Sequence, residues 1–190
     1  MIQSLDKYRV VLASNSPRRK ELLAGLGIQF EVRTGIEVDE SFPVTLPAEE
    51  VAEYISHKKA HAYLPTLASD ELLITADTIV TIDGEILGKP KDREDAFRML
   101  RQLAGRVHKV ITGVTIVKDG NVKSFSSVTN VTFADLTDEE IAYYVDNYKP
   151  FDKAGAYGIQ EWIGFVGVKH IEGSYFNVMG LPIQRLYEEI

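Results

Sequence analysis

Residues 72–82, LLITADTIVTI, limit what this chain can fold into more than any other stretch. The run is β-branched and apolar almost throughout, which predicts a buried strand. Asp83-Gly84 follows it as a hairpin turn signal. One residue breaks the pattern. Asp77 stands in the middle, where a carboxylate is costly unless it is paired, hydrogen-bonded or bound to a metal. Two readings of it stand: a metal ligand or general base, or a structural carboxylate accepting backbone hydrogen bonds at a bulge.

Around this strand the chain reads as alternating elements. Residues 8–13 form a short buried strand, and Ser16-Pro17 starts a helix that Gly25 or Gly27 ends. A second strand covers 28–34, and 34–46 (TGIEVDESFPVTL) is an acidic loop. A long helix runs from Pro47 to its stop at Pro65. Residues 87–90 form a loop, and Asp92 caps a helix that ends at Gly105. Residues 109–118 and 122–133 are strands around an Asp-Gly-Asn turn, and Thr137-Asp138-Glu139-Glu140 is a capping box opening a helix through Asn147. A strand is expected near 164–170 and a last helix from Pro182. Strand–helix alternation followed by an antiparallel run predicts an α/β protein with a mixed β-sheet and flanking helices. With no linker or repeat, residues 1–190 are expected to form a single domain, with two lobes around a central cleft.

Composition removes several classes. The 190 residues carry a net charge of −7, which argues against a generic binder of nucleic-acid polymers. Cysteine is absent, excluding disulfides, thiol catalysis and iron–sulfur clusters. There is no signal-peptide pattern and no apolar stretch of membrane-spanning length, so a cytoplasmic location without membrane attachment is expected.

Any anion site must therefore be local, and residues 13–23, ASNSPRRKELL, offer one. Arg18, Arg19 and Lys20 occupy a helix's first turn, where the dipole disfavours cations. Arg18, Leu22 and Leu26 share one face at i, i+4, i+8, and Arg19 continues the face of Leu23. The arginines therefore turn toward the protein body. With the first-turn N–H groups and the hydroxyls of Ser14 and Ser16 they form a cradle suited to phosphate. The competing reading pairs the arginines with acidic loops.

Asp39-Glu40-Ser41 offers carboxylates that can join Asp77 around a hard divalent cation, together with substrate phosphates. Lys89 sits beside Pro90 in a strand–helix loop, and Lys59 lies on the long helix between His57 and His61. The two histidines are i, i+4, but HKKAH has neither a Glu base nor an evident third ligand for zinc. Lys59 is about 200° round the helix from each of them, so a site facing Lys59 excludes both. The fingerprints of P-loop kinases, Rossmann dehydrogenases and α/β-hydrolases are absent.

Taken in order, LASNSPRRKELL (12–23), DES (39–41), KA (59–60), ADTIV (76–80), GKP (88–90), AGRVHKVITGV (104–114), DKAGAYGIQ (152–160) and GSYFNVMGLP (173–182) resemble the Maf family. These are nucleoside triphosphate pyrophosphatases related in fold to inosine-triphosphate pyrophosphatases, elongated mixed α/β structures with the active site in a cleft. The resemblance implies hydrolysis between the α- and β-phosphates, releasing a monophosphate and pyrophosphate, with a divalent metal cation (Mg²⁺ or Mn²⁺) as cofactor. Arg18, Thr78 and Gln160 match positions associated with the subgroup acting on dTTP and UTP. A sister subgroup prefers 7-methyl-GTP. Asn15 stands where the family commonly has Gly, and Ala104 where it has Ser; neither is a charged site position.

On this resemblance Asp77 is the base or water-positioning carboxylate and, with Glu40, a metal ligand. Ser14, Ser16, Arg18, Arg19, Lys59 and Lys89 hold the triphosphate. The Gln160 amide, which can donate and accept, suits a pyrimidine edge; the other reading of Gln160 is a loop amide satisfying backbone groups. A homodimer, and a part in clearing modified pyrimidine nucleotides, follow from the family alone. The rival function is a nucleotide-binding regulator of septum formation and cell division, against which the two carboxylates weigh.

Overall fold

A computed structural model describes Leu5 and residues 7–190. The described strands are β1 (Arg9–Leu12), β2 (Phe30–Val32), β3 (Glu71–Ile82), β4 (Glu85–Leu87), β5 (Val107–Lys118), β6 (Asn121–Phe133) and β7 (Val168–Glu172). They form one mixed sheet in the order β2-β1-β3-β5-β6-β7, with β4 paired to β3. The helices are α1 (Pro17–Ala24), α2 (Ala48–Tyr63), α3 (Arg93–Leu103), α4 (Asp138–Tyr148), α5 (Trp162–Gly167), α6 (Tyr175–Met179) and α7 (Ile183–Glu189). The architecture is the expected α/β fold with helices flanking the sheet. No helix among the described residues is long and apolar enough to cross a membrane.

The chain divides into two compact units, and β3, β5 and β6 contribute residues to both. The first comprises the chain through Asp77 with Thr112–Ser127 and Gly180–Ile190. Here β1 pairs in parallel with β2 and with β3, and α1 and α2 supply the crossovers that parallel strands require. Helix α2 covers the sheet through Ala60 and Tyr63, which pack with Val11, Ala13, Leu73 and Val117. It comes unusually close at Gly113 of β5. A Cβ there would lie 2.3 Å from the carbonyl carbon and oxygen of Ala52 and from the amide of Glu53. Beside this contact the Ser56 hydroxyl is 2.9 Å from the Thr115 hydroxyl, and Thr75 donates to the Ser56 carbonyl at 2.7 Å. At the start of β3 the buried Glu71 carboxylate binds Arg33, whose hydrogen bonds hold it down at about pKa 2.

The second unit comprises Thr78–Ile111 and Val128–Met179. Asp83 and Gly84 take φ of 53° and 81° in the β3–β4 turn, the left-handed geometry that a tight hairpin needs. Asp92 caps α3 through the Asp95 amide at 2.8 Å, and the Thr137–Glu140 capping box forms as expected. Helix α3 packs on α4 and on the turn at 154–156. The strand expected at 164–170 is corrected: α5 occupies Trp162–Gly167, and β7 starts only at Val168. An apolar run this short has no period that separates helix from strand. Its folding back depends on Gly164, whose Cβ would lie 1.7 Å from the Ile159 carbonyl oxygen.

His108 is 1% exposed in this unit's core, among Phe133 and Tyr157. Its Nε2 is 2.7 Å from the Tyr157 hydroxyl, and its Nδ1 has no hydrogen-bond partner. Burial pushes its pKa from 6.5 down to about 3. The unfolded chain therefore takes up this proton first as pH falls, and stability is lost below pH 6.5. The cost by pH 5 is about 2 kcal/mol, at about 1.4 kcal/mol per pH unit. Urea unfolding at pH 7.5 and pH 5 is expected to show this loss in the wild type and to lack it in His108→Gln. Equal pH dependence in the two proteins would assign the loss to other groups.

Candidate active site

The anion-cradle sequence forms the start of α1. Ser16 is its N-cap and accepts the Arg19 amide at 3.4 Å, while Ser14 accepts the Ser16 amide at 3.2 Å. Both hydroxyls use a lone pair for this, which leaves their O–H groups to donate elsewhere. Leu22 and Leu23 are buried, and Arg18 and Arg19 are half-buried, as the face pattern predicts. Arg19 also binds main-chain carbonyls, besides lying within reach of the charge of Glu40 in the acidic loop. Its Nε donates to the Gly180 carbonyl at 2.8 Å and its Nη1 to the Ala76 carbonyl at 2.9 Å. The guanidinium thus ties α1 to the residue immediately before Asp77. Burial lowers its pKa; Asp77 opposes this, Arg18 adds to it, and Glu40 opposes it weakly. A guanidinium stays charged under such shifts. Arg19, at the dipole's positive end, is therefore held by carbonyl oxygens and faces the opposite charges of Asp77 and Glu40.

Those carboxylates meet on one ammonium. Lys59 Nζ lies 2.7 Å from Asp77 Oδ1 and 2.8 Å from Glu40 Oε1. The Lys59 and Asp77 side chains are only 16% and 13% exposed, against 51% for Glu40. Asp77 is therefore a paired residue on the α2-facing side of β3, two positions after Thr75. The neighbouring lysine holds the neighbouring acid: Lys58 Nζ is 3.3 Å from Asp39 and donates to the Ser41 carbonyl at 2.8 Å. Asp39 also accepts from the Ser41 hydroxyl and amide, and these bonds, more than Lys58, hold its pKa at about 2. Of the acidic tripeptide only Glu40 shares a partner with Asp77. His57 and His61 are exposed, with ring centroids 4.4 Å apart, on the side of α2 away from Lys59. Among the described residues no group of three or more His, Asp or Glu is arranged to hold a metal ion.

The remaining expected site residues belong to the second unit. Thr78 follows Asp77 on β3 and is half-buried. Lys89 is exposed in the loop after β4, beside Gly88, whose carbonyl accepts the Gly155 amide at 3.1 Å. Gln160 is half-buried, yet its Oε1 is shielded from solvent and has no hydrogen-bond partner. The reading of Gln160 as an amide spent on backbone groups is not what this oxygen does.

Two features went unread in the sequence. Gly113, inside VITGVTI, is the glycine-in-a-strand signal of close backbone approach. Lys153 and Glu161, an ion pair at 3.2 Å flanking GAYGIQ, stand as charges in an apolar segment.

Residues 9–190 match the model of the family described as Maf-like protein. A dTTP/UTP pyrophosphatase of Phocaeicola vulgatus is 60% identical over 190 residues, covering 100% of this chain and 98% of the relative. Proteins of the same name from Bacteroides thetaiotaomicron and Porphyromonas gingivalis are 57% and 53% identical, again across 100% of this chain and 98% and 96% of theirs. Among solved structures, a HAM1 protein from Coxiella burnetii shares the fold at 13% identity, with a TM-score of 0.52 over 96% of this chain and 98% of that one. With its motifs in order, its family match nearly end to end and relatives this similar, the chain belongs to the Maf-like protein family.

Proposed function

We propose that this chain hydrolyses dTTP and UTP at the α–β phosphoanhydride, yielding the nucleoside monophosphate and pyrophosphate. The observation that carries this reading is the Lys59 ammonium held jointly by Asp77 and Glu40. Two carboxylates beside a set of cations suit water attack on a polyphosphate, where catalysis consists mainly of positioning and charge neutralisation.

Asp77 and Glu40 also fit a divalent cation. They already converge on one positive charge, and Mg²⁺ is commonly held by one or two carboxylates plus substrate phosphates and water. Bound there, Mg²⁺ or Mn²⁺ supplies charge neutralisation on the phosphate oxygens.

The chain's own groups do the rest. Ser14, Ser16, Arg18, Arg19, Lys59 and Lys89 bind the triphosphate through hydroxyl and cationic donors. Asp77 Oδ takes the proton of the water that attacks phosphorus. The bond to the bridging oxygen breaks, and that oxygen departs on pyrophosphate. Gln160, with Thr78 and Arg18, meets the pyrimidine, and its buried Oε1 is suited to accept from the ring N3–H of thymine or uracil. The same reading carries a homodimer in the cytoplasm, working on free nucleotide pools.

The test is to incubate purified protein and Mg²⁺ with a panel of nucleoside triphosphates and identify the products. Monophosphate and pyrophosphate from dTTP and UTP are expected. Release of orthophosphate would sink the bond assignment, and preference for 7-methyl-GTP would sink the base assignment. No turnover of any nucleotide would favour a regulatory role.

A further inference from the structure

The segment carrying Gln160 is held by a buried polar network that the reading above does not use. Tyr144 of α4 is fully buried. Its hydroxyl donates to the Glu161 carboxylate and accepts the Gly158 amide at 3.0 Å. Glu161 is also 3.2 Å from Lys153 Nζ, which reaches Asp152 at 2.8 Å. The Glu161 amide donates to the Gly158 carbonyl at 3.0 Å, closing a turn whose interior is Ile159 and Gln160. One phenol oxygen thus grips both ends of that turn.

The packing leaves no slack. A Cβ on Gly158 would stand 3.0 Å from the Glu161 carboxyl carbon and 3.0 Å from Lys153 Cε. Gly155, just upstream, is packed so that its Cβ would lie 2.8 Å from Val80 Cγ2. Burial and the Glu161 carboxylate both raise the Tyr144 pKa, so the phenol keeps its proton and its role as donor. Satisfied buried networks of this kind specify one geometry more than they add stability. Immediately beside the network is the Gln160 amide, with an oxygen that is buried and unpartnered.

We propose that Tyr144 is a positioning residue for substrate selection, orienting the Gln160 amide through its bonds to Gly158 and Glu161. The proposal rests on the reading of Gln160 as the base-contacting residue. A misplaced amide weakens the contact with the uracil or thymine edge while leaving the groups that bind the phosphates untouched.

Tyr144→Phe removes the hydroxyl alone. It is expected to raise KM for UTP about tenfold, the equivalent of one good hydrogen bond, and to leave kcat within about threefold. Selectivity for UTP over CTP is expected to fall toward that of Gln160→Ala. In the Gln160→Ala background, Tyr144→Phe is expected to add no further loss of selectivity, since both act on one contact. Glu161→Gln, which retains an acceptor for the phenol but loses the charge for Lys153, serves if Tyr144→Phe does not fold; a smaller loss of the same kind is expected. If Gln160→Ala lowers selectivity and neither Tyr144→Phe nor Glu161→Gln does, the positioning role is overturned. If Gln160→Ala itself leaves selectivity unchanged, the base-contact reading fails and the proposal with it. A purely structural Tyr144 would lower the melting temperature with KM and selectivity intact.

Discussion

Asp77→Asn is expected to reduce kcat for dTTP by about 10²–10⁴-fold, the range for loss of a positioned general base, with nucleotide binding largely preserved. The substitution keeps the side chain's shape and removes its charge and its basicity. Lys59 retains Glu40 at 2.8 Å, so one carboxylate still balances the ammonium. Arg19 still binds the Ala76 and Gly180 carbonyls, so the approach of α1 to β3 is unchanged. The cost to stability is about 1–3 kcal/mol at most, the price of leaving a half-buried cation with one partner fewer. Steady-state kinetics beside a nucleotide-binding isotherm check this. Loss of kcat with an intact Kd supports Asp77 as the base. A variant with near-normal kcat would remove Asp77 from the chemistry and leave it as a counterion of Lys59. A variant that loses binding and turnover together would make it a substrate ligand.

Gly113→Ala is expected to be the most damaging single-methyl change in the first unit. The added Cβ would meet three backbone atoms of α2 at 2.3 Å, and backbone cannot rotate aside as a side chain can. Helix or strand must move by about 1 Å to restore ordinary contact, an overpacking cost of about 3 kcal/mol. For a chain of this size that is a fall in Tm of about 10 °C. The movement also carries Lys59, which lies two turns along the same helix. A displacement near 1 Å can cost about 10²-fold in rate, so kcat/KM is expected to fall well below the wild-type value even at temperatures where the variant is folded. Thermal melts and kinetics at 20 °C check both parts. Unchanged stability would mean that α2 does not rest on β5 at Gly113.

The two changes separate what reads directly from residues and what does not. The strand at 72–82, the Ser16-Pro17 start of α1, the Asp83-Gly84 turn and the Thr137 capping box are legible because each is a local pattern with one low-energy solution. The ordered motifs from LASNSPRRKELL to GSYFNVMGLP carry the family for the same reason: they are short and contiguous. The helix at Trp162–Gly167 was not legible, because its conformation depends on Gly164 meeting the Ile159 carbonyl, a contact that no periodicity encodes.

At the candidate site the division is similar. Residue type and spacing already marked Asp77 as an anomaly in a buried strand and turned Arg18 and Arg19 toward the protein body. Neither could say which partners they meet. That Arg19 binds two main-chain carbonyls, that Lys59 joins Asp77 to Glu40 while Lys58 takes Asp39, and that Tyr144 grips both ends of the Gln160 turn are all contacts across long sequence separations. Spacing along the chain specifies the face on which a side chain lies. The partner waiting there depends on how helices and strands close on one another, and in this protein that is governed by approaches such as α2 against Gly113, where the absence of one methyl group sets the distance.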